Sequence, residues 1–125
     1  MSADDRERGM RIRREILGDD HVDRAEAEKT EFSADFQDFI TRYAWGEVWD
    51  RPDLPRRERS IATLAALVAL RAENEIAMHV RAALRNGLAA AEIKEVILHT
   101  ALYAGLPAAN AAFAIAQAVI SERED

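Results

Sequence analysis

The sequence predicts an all-α fold, a single-domain bundle of about six helices. Alanine supplies 25 of the 125 residues, 20 of them from Ala62 onward. It has the best helix propensity and little presence in strands. Glycine and proline together number only eight, so little interrupts long helices. Apolar residues recur at spacings of three and four, which is one face of a helix. Alanine buries little area, about 0.8 kcal/mol per methyl or methylene group. A chain this short is therefore expected to draw on partner subunits for stability.

Residues 4–17 read as the first helix, with Met10, Ile12, Ile16 and Leu17 as a broken stripe and Gly18 as its C′ residue. Residues 18–31 are polar and lack a stripe, and they read as a loop holding at most a short helical turn. A second helix covers about 32–44, where Phe32, Phe36, Phe39, Ile40 and Tyr43 share one face and Thr30 or Ser33 is the cap. Two tryptophans around a glycine, Trp45-Gly46-Glu47-Val48-Trp49, suggest a separate short turn rather than a continuation. Pro52 and Pro55 break the chain. The next helix, about 55–71, is apolar over most of its circumference and is expected to be central. A fourth, about 73–86, stops at Asn86-Gly87, and a fifth, about 90–104, at Gly105. The sixth starts at Pro107 and ends near Glu122. The whole chain, 1–125, reads as one domain, with 1–31 an N-terminal helix and loop and 32–122 the helical core.

Composition excludes several functions. The net charge of −6 argues against nucleic-acid binding, which needs clustered Lys and Arg. The absence of cysteine removes disulfides, thiolate metal sites and thiol nucleophiles. No secretory signal is visible, and the longest apolar run, Ile61 to Leu70, is half of the ~20 residues a membrane span needs. A soluble cytoplasmic protein without membrane or nucleic-acid partners is the expectation.

The three histidines differ in setting. His21 lies in the polar segment and reads as solvated. His99 stands one turn from Glu95 and one turn from Tyr103, either as a structural row or as a pocket wall. His79 is flanked by Ile76 and Ala83, so it points to the apolar side of its helix, with Glu75 four residues earlier on the same face. A carboxylate beside an imidazole fixes its tautomer and suits it to act as a general acid, or merely satisfies a buried histidine. No HExxH or paired-His spacing is present, and no metal is expected. The segment from Tyr43 to Trp49 reads either as core or as a pocket or subunit contact.

Longer segments then carry a resemblance. Thr41-Arg42-Tyr43-Ala44-Trp45-Gly46-Glu47-Val48-Trp49, His79-Val80-Arg81-Ala82-Ala83-Leu84-Arg85-Asn86-Gly87 and Tyr103-Ala104-Gly105-Leu106-Pro107-Ala108-Ala109-Asn110-Ala111-Ala112-Phe113 resemble the carboxymuconolactone decarboxylase family. That family lies within the wider group that includes alkylhydroperoxidase D. Redox members of the group carry C-x-x-C followed, four residues after the second cysteine, by a histidine. Counting back from His79, those positions are Ala72 and Glu75, so thiol redox chemistry is excluded.

The resemblance implies an all-α, alkylhydroperoxidase D-like fold assembled as homotrimers or homohexamers. It implies a place in the protocatechuate branch of the β-ketoadipate pathway for aromatic breakdown. The implied reaction is cofactor-independent decarboxylation of 4-carboxymuconolactone, an anionic lactone, to 3-oxoadipate enol-lactone. His79 is then the general acid and Glu75 its orienting partner. Arg59 and Arg81 are the carboxylate clamps, and Trp45, Glu47 and Tyr103 line the pocket. The alternatives are a related cofactor-free lactone lyase or isomerase, and a non-catalytic helical oligomer that uses the same pocket to bind.

Overall fold

The computed structural model describes residues 3–124. Regular structure among them is entirely helical: seven α-helices and one π-helical segment. They fall into two compact units, residues 1–55 and 56–125.

The first unit holds α1 (Ala3–Leu17), α2 (Asp19–Glu28), α3 (Ala34–Ile40) and the π segment (Thr41–Val48). Helix α1 packs along the π segment through Gly9 and Gly46. A Cβ on Gly9 would stand 2.0 Å from the Thr41 carbonyl oxygen, and one on Gly46 would stand 3.2 Å from the Gly9 Cα. Only glycine permits so close an approach. Ile12, Ile16, Leu17, Val22 and Trp45 are buried in this unit. Arg13 is buried with them, 4% exposed. It donates to Thr41 Oγ1 at 3.2 Å and to Gln37 Oε1 at 3.0 Å. Burial lowers its pKa, opposed by the charge of Glu26.

Two expectations are corrected here. The segment expected as a loop contains the ten-residue helix α2. Its one buried side chain is Val22, which is too little to make a stripe. Arg14 of α1 grips Asp19 at 3.0 Å and Asp23 at 2.9 Å. These two carboxylates raise the Arg14 pKa. The acidic first turn, Asp19 and Asp20, also suits the helix dipole. The second correction concerns Trp45–Trp49, expected as a separate turn. It continues α3 directly, in π form, with Trp49 N–H bonding to Ala44 O at 2.9 Å. A wider turn of this kind is rare and occurs often at functional sites.

Thr30 and Ser33 hold the entry to α3 reciprocally. The Ser33 hydroxyl accepts the Thr30 N–H at 2.9 Å, and the Thr30 hydroxyl accepts the Ser33 N–H at 3.3 Å. The aromatic face of α3 turns outward: Phe32, Phe36, Phe39 and Tyr43 are all exposed.

The second unit holds α4 (Arg56–Ala69), α5 (Glu73–Arg85), α6 (Ala90–Ala104) and α7 (Leu106–Glu124). Its core is built from Leu64, Val68, Ile76, Val80, Ala83, Leu88, Ile93 and Ile97, against Ala108, Ala109, Ala112, Ala116 and Val119 of α7. Alanine on α7 is what lets that helix approach. The breaks between helices fall at Arg71, Gly87 and Gly105, all in positive φ. Helix α4 is central to its unit, packing on α5, α6 and α7, but it is not buried all round. Only Ser60, Leu64 and Val68 are buried, and Leu70 is exposed. Alanines on its outer face look apolar in sequence but are small enough to sit at the surface. Asn86 ties the end of α5 to α4, donating to the buried Ser60 hydroxyl at 2.9 Å. Glu92 caps α6 by accepting the Ala89 N–H at 2.9 Å, and it also pairs with Arg57.

Candidate active site

Helix α5 positions the central residue. Ile76, Val80 and Ala83 are each no more than 1% exposed and anchor one side of the helix. His79 lies at the edge of that buried stripe and is half-buried. Glu75 is exposed one turn earlier on the same face, in the first turn of α5. It borders a shallow depression with Arg71, Ala72, Glu73 and Asn74. The structure thus brings Glu75 and His79 to one face, as the spacing indicated.

The other expected residues are placed differently. Arg59 is half-buried on α4, one residue before the buried Ser60. Arg81 follows His79 by two residues, which turns it about 160° around α5. There it meets α7 and donates to both Glu122 carboxylate oxygens, at 3.1 and 3.3 Å. The structure therefore does not bring Arg81 to the His79 face of the helix. Tyr103, 81% exposed, leans on the His99 ring on α6, ring centroids 5.6 Å apart and tilted 51°. In the first unit, Trp45 is buried and packs on Trp49 at 5.4 Å, while Glu47 is exposed.

His99 touches Tyr103 through its ring and is a pocket wall. With Glu95, Thr100, Val96, Ile61 and Ala65 it lines a cleft of about 320 Å³ between α4 and α6. His21 lies on α2 and is half-buried, not in a solvated loop. Three arginines are prominent in the structure without a functional signal of their own in the sequence reading: buried Arg13, and Arg85 and Arg123 beside Arg81. For Arg85 the one hint is spacing, since it stands one turn from Arg81. Among the described residues, no three His, Asp or Glu side chains converge in a way that could hold a metal ion. No helix among them is long and apolar enough to cross a membrane.

An all-helical chain without cysteine, with imidazole and carboxylate on one helix face, is equipped for proton transfer and not for thiol chemistry. Comparison with known proteins agrees. Residues 34–118 match the profile of the carboxymuconolactone decarboxylase family, and the chain belongs to that family. It is 52% identical over 114 residues to the 4-carboxymuconolactone decarboxylase of Acinetobacter baylyi, covering 91% of this chain and 85% of that one. It is 38% identical over 117 residues to the nitrosuccinic acid decarboxylase of Metarhizium robertsii, covering 94% of this chain and 82% of that one. A 4-carboxymuconolactone decarboxylase sequence from Pseudomonas putida is 49% identical over 39 residues, 31% of this chain and 81% of that one.

Proposed function

We propose that the chain is a cofactor-independent carboxy-lyase converting 4-carboxymuconolactone to 3-oxoadipate enol-lactone in protocatechuate breakdown. The observation that carries this is the 52% identity to the Acinetobacter baylyi decarboxylase over 91% of the chain.

The chemistry needs little beyond proton transfer and charge placement. The carbon–carbon bond to the ring carboxylate breaks and CO₂ leaves. The electron pair passes through the ring alkene into the lactone carbonyl, giving an oxidofuran-like dienolate. Protonation at the carbon α to that carbonyl yields the enol-lactone. The substrate is its own electron sink, so the scheme calls for no cofactor. His79 delivers the proton, and Glu75 orients it as a positioning residue. Arg59 binds a substrate carboxylate through its guanidinium fork. Tyr103, Trp45 and Glu47 keep the substrate-binding roles implied by the resemblance.

The proposal includes a homotrimer or homohexamer in the cytoplasm. Leu98, Leu102, Tyr103 and Leu106 support the association: all are more than half exposed along the end of α6 and the start of α7, and exposed apolar patches of this kind mark contact surfaces.

The test is turnover by the purified chain after exhaustive chelation, following CO₂ release and enol-lactone formation. Turnover is expected. Its absence, or activity restored only by one divalent metal, overturns the proposal. A second reading rests on the nitrosuccinic acid decarboxylase relative: a related lyase whose substrate carries a different built-in electron sink. Faster turnover of nitrosuccinate than of the lactone selects that reading. Turnover of neither selects a non-catalytic binding protein.

A further inference from the structure

A second charged cleft lies on the opposite side of α5 from His79. Arg81, Arg85, Val119, Glu122 and Arg123 line about 340 Å³ of space between α5 and α7. The volume falls at the lower end of small-molecule sites. Val119, 2% exposed, gives an apolar floor. Arg81 and Arg85 stand one turn apart on α5, and Arg123 reaches in from α7. Arg81 is paired with Glu122. Among the described residues the side chains of Arg85 and Arg123 make no hydrogen bond or ion pair.

Two features define what fits. Three guanidiniums and one carboxylate leave a local charge of two positive, in a chain whose net charge is −6. The cleft also already holds a carboxylate in fork geometry: Arg81 Nη2 donates to Glu122 Oε1 at 3.1 Å and Arg81 Nε to Oε2 at 3.4 Å. Planar forks at separate positions suit an anion with two heads. We propose that this cleft binds a small dicarboxylate, one carboxylate on Arg85 and Arg123 and the other sharing Arg81 with Glu122. Glu122 is then a built-in competitor that holds Arg81 in place when the cleft is empty. The site is distinct from the proposed catalytic face, since Arg81 and Arg85 lie about 160° and 120° around α5 from His79.

Isothermal titration of the full chain with adipate at low ionic strength tests this. One saturable event per chain is expected that Arg85→Gln with Arg123→Gln weakens at least about tenfold. Both residues are exposed, and circular dichroism checks that the double variant keeps its helices. Glu122→Gln removes the competitor and tightens the same event several-fold. Lactone turnover by the double variant stays within twofold of the parent. Acetate and inorganic phosphate, each with one head, bind far more weakly than adipate. The proposal is overturned if no saturable event occurs, if the isotherm is unchanged in the double variant, if Glu122→Gln weakens binding, or if phosphate matches adipate. A loss of turnover in the double variant equally contradicts the separation from the catalytic face. The proposal stands independently of the decarboxylase assignment, because the titration needs no turnover.

Discussion

Gly9→Ala places one methyl group where α1 crosses the π segment. Its Cβ would sit 2.0 Å from Thr41 O, 2.8 Å from Thr41 C and 3.3 Å from Thr41 Cγ2. The first distance is more than an ångström short of van der Waals contact. The obstructing atoms are backbone, so no rotamer change relieves them. Thr41 also accepts from Arg13 and donates to Gln37 O at 2.8 Å, and any shift of its peptide strains both bonds. Overpacking of this kind costs about 1–3 kcal/mol or more. Alanine returns about 1 kcal/mol of helix propensity over glycine. With backbone atoms in the way the steric cost stands at the upper end of that range, and a net loss of about 2 kcal/mol is expected. Urea denaturation followed by circular dichroism measures it. Gly46→Ala is the internal control: its Cβ meets Asp5 O and Gly9 Cα at 3.2 Å, so a few tenths of an ångström suffice, and stability stays within about 1 kcal/mol of the parent. A Gly9→Ala chain as stable as the parent would show that the crossing is looser than described.

Other expectations follow from buried groups. Arg13 is desolvated and bonded to the neutral groups of Thr41 and Gln37. Replacing a buried charge by an apolar side chain of similar length is often neutral or better, so Arg13→Met is expected within about 1 kcal/mol of the parent in the same denaturation assay. A loss well beyond that would show the guanidinium to be a net stabiliser. Ile97, 1% exposed at the centre of the second unit, loses about 2–5 kcal/mol on truncation to alanine. A milder effect in thermal unfolding would mean that neighbouring alanines collapse into the space. Asn86→Ala strands the buried Ser60 hydroxyl and costs about 1–2 kcal/mol, measured the same way. A neutral result would show that Ser60 finds another partner.

The helices of the second unit were readable from the chain because their signals are local. Asn86-Gly87 and Gly105 sit where α5 and α6 end, and Ile93, Val96, Ile97, Ala101 and Ala104 form the stripe that packs. Helix α2 was not readable: its single anchor, Val22, makes no stripe, and Arg14 of another helix holds it. The π segment at Thr41–Val48 crosses Gly9, 32 residues before Thr41, a contact that no local pattern contains. For the site, spacing alone puts Glu75 and His79 on one face of α5. The same spacing separates Arg81 from His79, and the resemblance had drawn attention to the segment rather than to its faces. Burial of Arg13 could not be anticipated, since an arginine among other arginines in α1 reads as solvated.

In the proposed mechanism His79 delivers the proton to the dienolate after CO₂ leaves. Decarboxylation of 4-carboxymuconolactone in D₂O, followed by NMR, tests it directly for the parent chain and for His79→Ala. The parent should place one deuterium at the carbon α to the lactone carbonyl, on a single face. The variant, folded and assembled as the parent is, should turn over about 10²–10⁴-fold more slowly and give product labelled on both faces. Full turnover with unchanged facial selectivity in the variant would rule out His79 as the proton donor. A matching defect in His99→Ala alone would move the proton donor to the cleft beside Glu95.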